Sequence, residues 1–136
     1  MINPDSRVLV VDDFELVRTM LQKALNDLGI KGIEQAADGE EARDKLLAAH
    51  KNGKPFDIVF ADWNMPKMTG FELLQFIRSD KNLVNVPVVM VTAEAERDYV
   101  IQALSAGATD YIIKPVSLEG LRKKVESINK RISKSA

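Results

Sequence analysis

Five short runs of apolar, mostly β-branched residues alternate along the chain with longer segments in which apolar residues recur at helical spacing. The runs are continuous, as in VLVV, IVF, VVMV and YII, and such continuity is typical of strands that are buried on both faces. Strands that are separated by helices pair in parallel. The pattern therefore predicts an α/β domain in which helices cover both faces of an open, doubly wound parallel sheet.

The predicted elements follow one another without an internal sequence repeat. The strands are expected in RVLVVDD (7–13), IEQAAD (33–38), FDIVFAD (56–62), PVVMVTA (87–93) and DYIIKP (110–115). The helices are expected at about 16–28, 42–49, 71–77, 96–106 and 118–132. We interpret residues 1–136 as a single domain whose core spans about 6–132 and whose tail, 133–136, is frayed.

Composition narrows the possible functions. The absence of cysteine excludes a disulfide framework, a thiolate metal site and a cysteine nucleophile, and it agrees with a reducing, cytoplasmic location. With 19 basic and 20 acidic residues, the net charge of -1 gives no electrostatic reason to expect a nucleic acid or an anionic membrane as partner. No segment approaches the ~20 apolar residues that span a bilayer.

Polar residues end the predicted strands, and in parallel α/β sheets ligands bind outside those carboxyl ends. The strand ends carry Asp12 with Asp13, Asp62, Thr92 and Lys114. Three neighbouring carboxylates repel one another unless a hard divalent cation binds between them, and Mg²⁺ prefers such oxygen ligands. A lysine ammonium and a threonine hydroxyl suit phosphoryl oxygens. The sequence thus predicts a phosphoryl pocket with a magnesium site.

These residues, in this order, resemble the receiver domain of two-component response regulators, and in particular the single-domain chemotaxis regulators. The resemblance rests on the Asp12-Asp13 pair, Asp62 ahead of Met65, Pro66 and Gly70, the Thr92-Ala93 step and the Lys114-Pro115 step. It implies a flavodoxin-like strand order of 2-1-3-4-5 and a cis Lys114-Pro115 bond. It also implies a switch protein rather than a conventional enzyme.

The resemblance implies that Asp62 accepts a phosphoryl group from a histidine kinase. Asp13 and Asp62 would ligate Mg²⁺ directly, Asp12 would act through a metal-bound water, and Asn64 would offer its backbone carbonyl. A carboxylate is a chemically sound nucleophile for such a transfer. Asn64 would also help to tune dephosphorylation together with Glu94.

A conformational switch is implied by the same resemblance. Lys114 would pair with the phosphoryl oxygens, Thr92 would swing its hydroxyl toward them, and Tyr111 would follow inward. The partner face is expected to consist of Ala95, Arg97, Val100, Tyr111, Ile113 and Lys124. A monomer that binds a flagellar motor component or a phosphatase through this face is the preferred interpretation, because the chain leaves no room for another output domain.

Two residues depart from the family pattern. Thr69 occupies a position where aspartate is common, and we expect it to weaken the cap of the following helix. Val116 follows Lys-Pro, where phenylalanine is common, and we expect it to alter the output face.

Other interpretations remain open. The chain would serve equally well as a phosphate shuttle or sink in a phosphorelay, which has the same chemistry but another phosphotransfer protein as partner. A phosphatase of the haloacid dehalogenase class also uses an aspartyl nucleophile, but it needs a second aspartate where this chain has Asn64. Taken alone, Asp12 and Asp13 also suit a helix N-cap and its first turn, and Trp63 suits simple packing.

Overall fold

The computed structural model describes residues 2–93 and 96–135, with side chains as far as Arg131 apart from the gap. Its strands are β1 (Arg7–Val11), β2 (Gly32–Ala36), β3 (Ile58–Ala61), β4 (Val88–Thr92) and β5 (Asp110–Ile113). Every pair is parallel and the order is β2-β1-β3-β4-β5. The predicted fold class and strand order are therefore confirmed.

Five helices cover the sheet: α1 (Glu15–Asp27), α2 (Gly39–Lys51), α3 (Gly70–Ser79), α4 (Arg97–Ser105) and α5 (Leu118–Ser135). The last helix ends at Ser135, three residues beyond its predicted end, and no glycine or proline interrupts it there. Ala136 lies outside the described residues. Among the described helices, none has the length and apolar character needed to cross a membrane.

Two apolar clusters explain the continuous apolar runs of the strands. In β1, Val8 and Val10 pack on one face with α1 and α5, whereas Leu9 and Val11 pack on the other with α2, α3 and α4. Successive side chains of a strand point to opposite faces, so a strand covered on both sides needs apolar residues at every position. The first polar residue after such a strand consequently marks the edge of the core.

Helix α3 begins with a complete capping box. The Thr69 hydroxyl accepts a hydrogen bond from the Glu72 amide (3.1 Å), and the Glu72 carboxylate accepts one from the Thr69 amide (3.0 Å). The prediction that Thr69 weakens this cap was therefore wrong. Threonine with a glutamate three residues later is the combination that satisfies two free amides reciprocally.

Gly70 brings the start of α3 against the end of β3. A Cβ atom at this position would lie 1.8 Å from the carbonyl oxygen of Asp62, a distance that no side chain can adopt. The Gly70 amide also donates to the carbonyl of Trp63 at 2.8 Å. This close approach fixes the backbone that carries Asp62.

The loop between β5 and α5 carries the predicted cis bond and Val116. The Lys114-Pro115 bond is cis, as the resemblance implies. Val116, however, packs with the cluster under α1 and α5, on the opposite side of the sheet from Tyr111. Val116 lies there because the chain turns toward α1 after Pro115. Its effect on the output face stays a prediction.

Candidate functional site

The carboxyl ends of four adjacent strands bring the predicted pocket residues together. In the register of the sheet, Val11 of β1 lies beside Ala61 of β3, so Asp12 and Asp62 leave the sheet next to each other. Thr92 of β4 pairs in the same way with Ile113 of β5, which precedes Lys114. The sheet topology therefore converts four separate strand ends into one polar cluster.

Three carboxylates form the acidic part of this cluster. Oxygen atoms of Asp12, Asp13 and Asp62 lie within 4.8 Å of one another. Asp12 and Asp62 are only 1% and 7% exposed, whereas Asp13 is open to solvent. Oxygen ligands grouped in this way suit a hard cation such as Mg²⁺.

Lys114 lies between the two buried carboxylates. Its Nζ is 2.7 Å from Asp12 Oδ2 and 3.4 Å from Asp62 Oδ2. Burial acts to lower the pKa of Lys114, but the hydrogen bond that it donates to Asp12 and the charge of Asp62 outweigh this effect, so its pKa is raised. The sequence suggested that a metal ion compensates the charge of the carboxylates. In the structure, Lys114 already compensates part of that charge.

Every polar atom at Asp12 has a fixed partner. Its Oδ1 accepts from the amide of Phe14 (2.9 Å), and its carbonyl accepts from Nη1 of Arg18 (2.7 Å). Arg18 also donates from Nε to Gln35 in β2 (3.0 Å). Sequence reasoning missed Arg18, although its place in the first turn of the helix after the Asp pair was a usable signal.

Burial is the main influence on Asp62. Removal from water raises its pKa, and the charge of Asp12 adds to that effect. Lys114, a hydrogen bond from Thr92 and the amide of Trp63 (2.8 Å to Oδ1) act in the opposite direction. Desolvation, rather than the crowding of like charges, is therefore the largest cause of the raised pKa of Asp62.

The two proposed switch residues both point inward. Thr92 is buried, and its hydroxyl donates a hydrogen bond to Asp62. Tyr111 is 8% exposed and packs in the cluster under α2, α3 and α4. An inward threonine and an inward tyrosine therefore occur together in this structure.

The predicted partner face is only partly a surface. Arg97 and Ile113 are exposed, but Val100 packs against the core, and Tyr111 is buried. Lys124 is half-buried and paired with Asp110 at 3.1 Å. Glu94 and Ala95 lie outside the described residues.

Sequence reasoning also missed two exposed apolar side chains on α4. Ile101 and Leu104 follow Arg97 and Val100 by four residues each, so all four lie along one stripe of the helix. The helical repeat was the signal that would have found them. Asn64, two residues after Asp62, is exposed, and its proposed roles stay predictions.

The buried charge of Asp62 predicts a pH-dependent effect of Asp62→Asn in metal-free buffer. A folded-state pKa above the ordinary 3.8 means that the wild type is fully stabilised by protonation below 3.8 and loses that stabilisation as pH rises through the folded value. The asparagine variant does not titrate. We expect it to be more stable than wild type at pH ~7, with a difference that shrinks on acidification. Urea unfolding across this pH range measures the difference, and a less stable variant at pH ~7 would contradict the argument.

Comparison with known proteins agrees with this geometry. Residues 8–126 match the family described as response regulator receiver domain. The chain is 41% identical to the chemotaxis protein CheY of Pseudomonas aeruginosa, with 93% of this chain and 98% of that protein covered. It is also 41% identical to CheY-3 of Vibrio cholerae, with 97% and 98% covered.

A solved structure supports the same relationship. The chemotaxis response regulator CheY4 of Vibrio cholerae superposes with a TM-score of 0.80 at 35% identity, covering 90% of this chain and 98% of that one. The family match, the relatives and the shared fold all span most of the chain. This protein belongs to the receiver domain family of response regulators and is a CheY-like member of it.

Proposed function

We propose that this receiver is switched by transfer of a phosphoryl group from a histidine kinase to Asp62. The observation that most directly supports this proposal is a buried carboxylate that contacts both a lysine ammonium and a threonine hydroxyl at the carboxyl edge of the sheet. Two donors of the types that bind phosphoryl oxygens indicate a site that receives additional negative charge.

The acidic cluster fits a magnesium ion. Both oxygens of Asp12 already accept hydrogen bonds, from Phe14 and Lys114, which favours an indirect role for Asp12 through a water. Asp13 is exposed and its carboxylate accepts no hydrogen bond from the residues that the structure describes. We assign Asp13, Asp62 and the Asn64 carbonyl as ligands. When bound, Mg²⁺ neutralises phosphoryl oxygens.

The transfer itself requires few movements of the protein. The Asp62 carboxylate attacks phosphorus, an oxygen to phosphorus bond forms, and the phosphorus to nitrogen bond of the donor phosphohistidine breaks, with its electron pair leaving on the imidazole. Lys114 exchanges its contact with Asp62 for one with the new phosphoryl oxygens. The Thr92 hydroxyl, already directed at Asp62, then donates to the phosphoryl group.

The output is a protein contact at the edge formed by α4 and β5. Arg97, Ile101, Leu104 and Ile113 offer a mixed apolar and basic surface there, suited to a short amphipathic segment with acidic residues. Two curated relatives are named chemotaxis proteins, and this supports a role in chemotaxis or motility signalling. We accordingly assign a monomeric cytoplasmic switch whose partners are a kinase and a motor component or phosphatase.

A phosphorelay role is the second candidate, and one surface favours it. Phe14 at the N-cap of α1 and Leu16 and Met20 on the helix are exposed, and a groove of ≈ 350 Å³ lies between α1 and the loop 114–116. This apolar area adjoins the phosphoacceptor pocket, where a phosphotransfer protein must present its histidine. Partners captured with beryllofluoride-treated protein separate the two roles: a motor or phosphatase protein supports the switch, and a histidine phosphotransfer protein supports the relay.

Acetyl phosphate provides the direct test of the phosphoacceptor. With Mg²⁺ present, we expect one phosphoryl group per chain, located on Asp62, because the site supplies its own lysine and threonine. Intact-mass and peptide mass spectrometry detect it. Asp62→Asn should abolish the modification, whereas Asp27→Asn, an equivalent change at the far end of α1, should not. Stable phosphate on a serine or threonine would refute the mechanism.

Magnesium should raise the melting temperature, because an ion that binds only the folded state stabilises it. At ten to one hundred times the dissociation constant the gain is about 1–3 kcal/mol, or roughly 3–10 °C for a domain of this size. Asp13→Asn should remove most of this gain, and Asp27→Asn should retain it. Differential scanning calorimetry with and without Mg²⁺ measures the shift, and an unchanged wild-type melting temperature would exclude the metal site.

A further inference from the structure

Two aromatic side chains from different helices pack around Trp63, the residue that follows Asp62. The ring of Trp63 stacks on Phe71 of α3, with centroids 4.9 Å apart and an interplanar angle of 11°. It also meets Tyr99 of α4 edge-on, at 5.1 Å and 87°. Trp63 is buried and is the single tryptophan of the chain. Its ring is thus held from two sides by two different helices.

The backbone of Trp63 contacts the proposed phosphoacceptor directly. Its amide donates to Asp62 Oδ1 at 2.8 Å, and its carbonyl accepts from Gly70 at 2.8 Å. The peptide group that orients the Asp62 carboxylate therefore belongs to the residue whose ring is held by α3 and α4. Because one residue carries both the ring and the amide, the packing of the ring restricts how that peptide can be oriented.

Tyr99 is also an attachment point for the start of α4. The helix begins at Arg97, after an N-cap residue, Glu96, that makes no side-chain cap hydrogen bond. Tyr99 lies in this first turn, and its ring contacts the ring of Trp63 edge-on. Arg97, which belongs to the proposed partner face, lies in the same turn. The orientation of Asp62 and the position of this part of the face are consequently joined through one ring contact.

We propose that Tyr99 is a positioning residue that holds Asp62 for phosphoryl transfer through Trp63 and couples Asp62 to the first turn of α4. This route is separate from the one through Thr92 and Tyr111, and it rests on the proposed role of Asp62 as phosphoacceptor. An edge-on aromatic pair contributes about two- to tenfold in an equilibrium. Replacement of the Tyr99 ring by an aliphatic side chain should therefore reduce the correctly oriented population of Asp62 by a similar factor.

The test compares three variants of the full chain with wild type. Tyr99→Leu removes the ring, and Tyr99→Phe retains it. Gln102→Gly lowers the helix propensity of α4 at an exposed position, without removing an aromatic contact. The phosphorylation rate at saturating acetyl phosphate and Mg²⁺ reports the orientation of Asp62. Trp63 fluorescence, with and without beryllofluoride, reports the ring.

We expect Tyr99→Leu to slow phosphorylation two- to tenfold and to shift Trp63 emission to longer wavelength, with Tyr99→Phe restoring both. Gln102→Gly should phosphorylate at the wild-type rate despite its lower stability. Equal phosphorylation rates for Tyr99→Leu and wild type would contradict the role of Tyr99 but leave the proposed function intact. Equal slowing by Tyr99→Leu and Gln102→Gly would have the same meaning. Wild-type protein that takes up no phosphoryl group would overturn the proposed function and this inference together.

Discussion

The contact of Lys114 with Asp12 and Asp62 is the interaction on which the arrangement of the sheet edge depends. Two nearly buried carboxylates at neighbouring strand ends would each cost several kcal/mol if left unpaired in a poorly solvated site. The ammonium lies within 2.7 Å of one and 3.4 Å of the other. Because one cation serves both, the ends of β1, β3 and β5 are held together by charge as well as by the ladders of the sheet.

The same arrangement explains how the edge can act as a switch. Lys114 compensates the charge of Asp12 and Asp62 in the absence of a ligand, and in the proposed phosphorylated state it compensates the phosphoryl group. The Thr92 hydroxyl also donates to Asp62, and the Trp63 amide donates to Asp62 Oδ1, whereas Lys114 lies nearest Oδ2. A change of charge at Asp62 therefore acts on β4, β5 and the start of α3 at once. Cores packed at native density respond to such changes by discrete rearrangement.

Much of this could be predicted from the sequence, for identifiable reasons. Strands buried on both faces leave continuous apolar runs, and the first polar residue after each run marks the functional edge, as with Asp12, Asp62 and Lys114. The strand order followed only from the family resemblance, since periodicity does not specify which strands are neighbours. The cap at Thr69 was misjudged because Thr69 was considered alone, whereas a capping box depends on the pair of Thr69 and Glu72.

Other features depend on the rotation of helices and on contacts between distant segments. The ion pair of Lys114 with Asp12 joins residues at opposite ends of the chain, and no local pattern indicates it. Tyr111 was expected on the partner face but is buried, because its side of β5 is covered by the core. The side of the sheet on which Val116 packs could not be predicted, because the direction of the loop after Pro115 is not encoded in spacing. The ring contact of Tyr99 with Trp63 likewise needs the packing of α4.

A double-mutant cycle between Lys114 and Asp12 tests the central role of their contact most directly. The unfolding free energies of wild type, Lys114→Met, Asp12→Asn and the double variant are measured by urea denaturation in metal-free buffer. For a buried, hydrogen-bonded pair we expect a coupling of about 1.5–3 kcal/mol, with the double variant destabilised by less than the sum of the single ones. Additive effects would show that the pair does not organise the edge and would contradict the account.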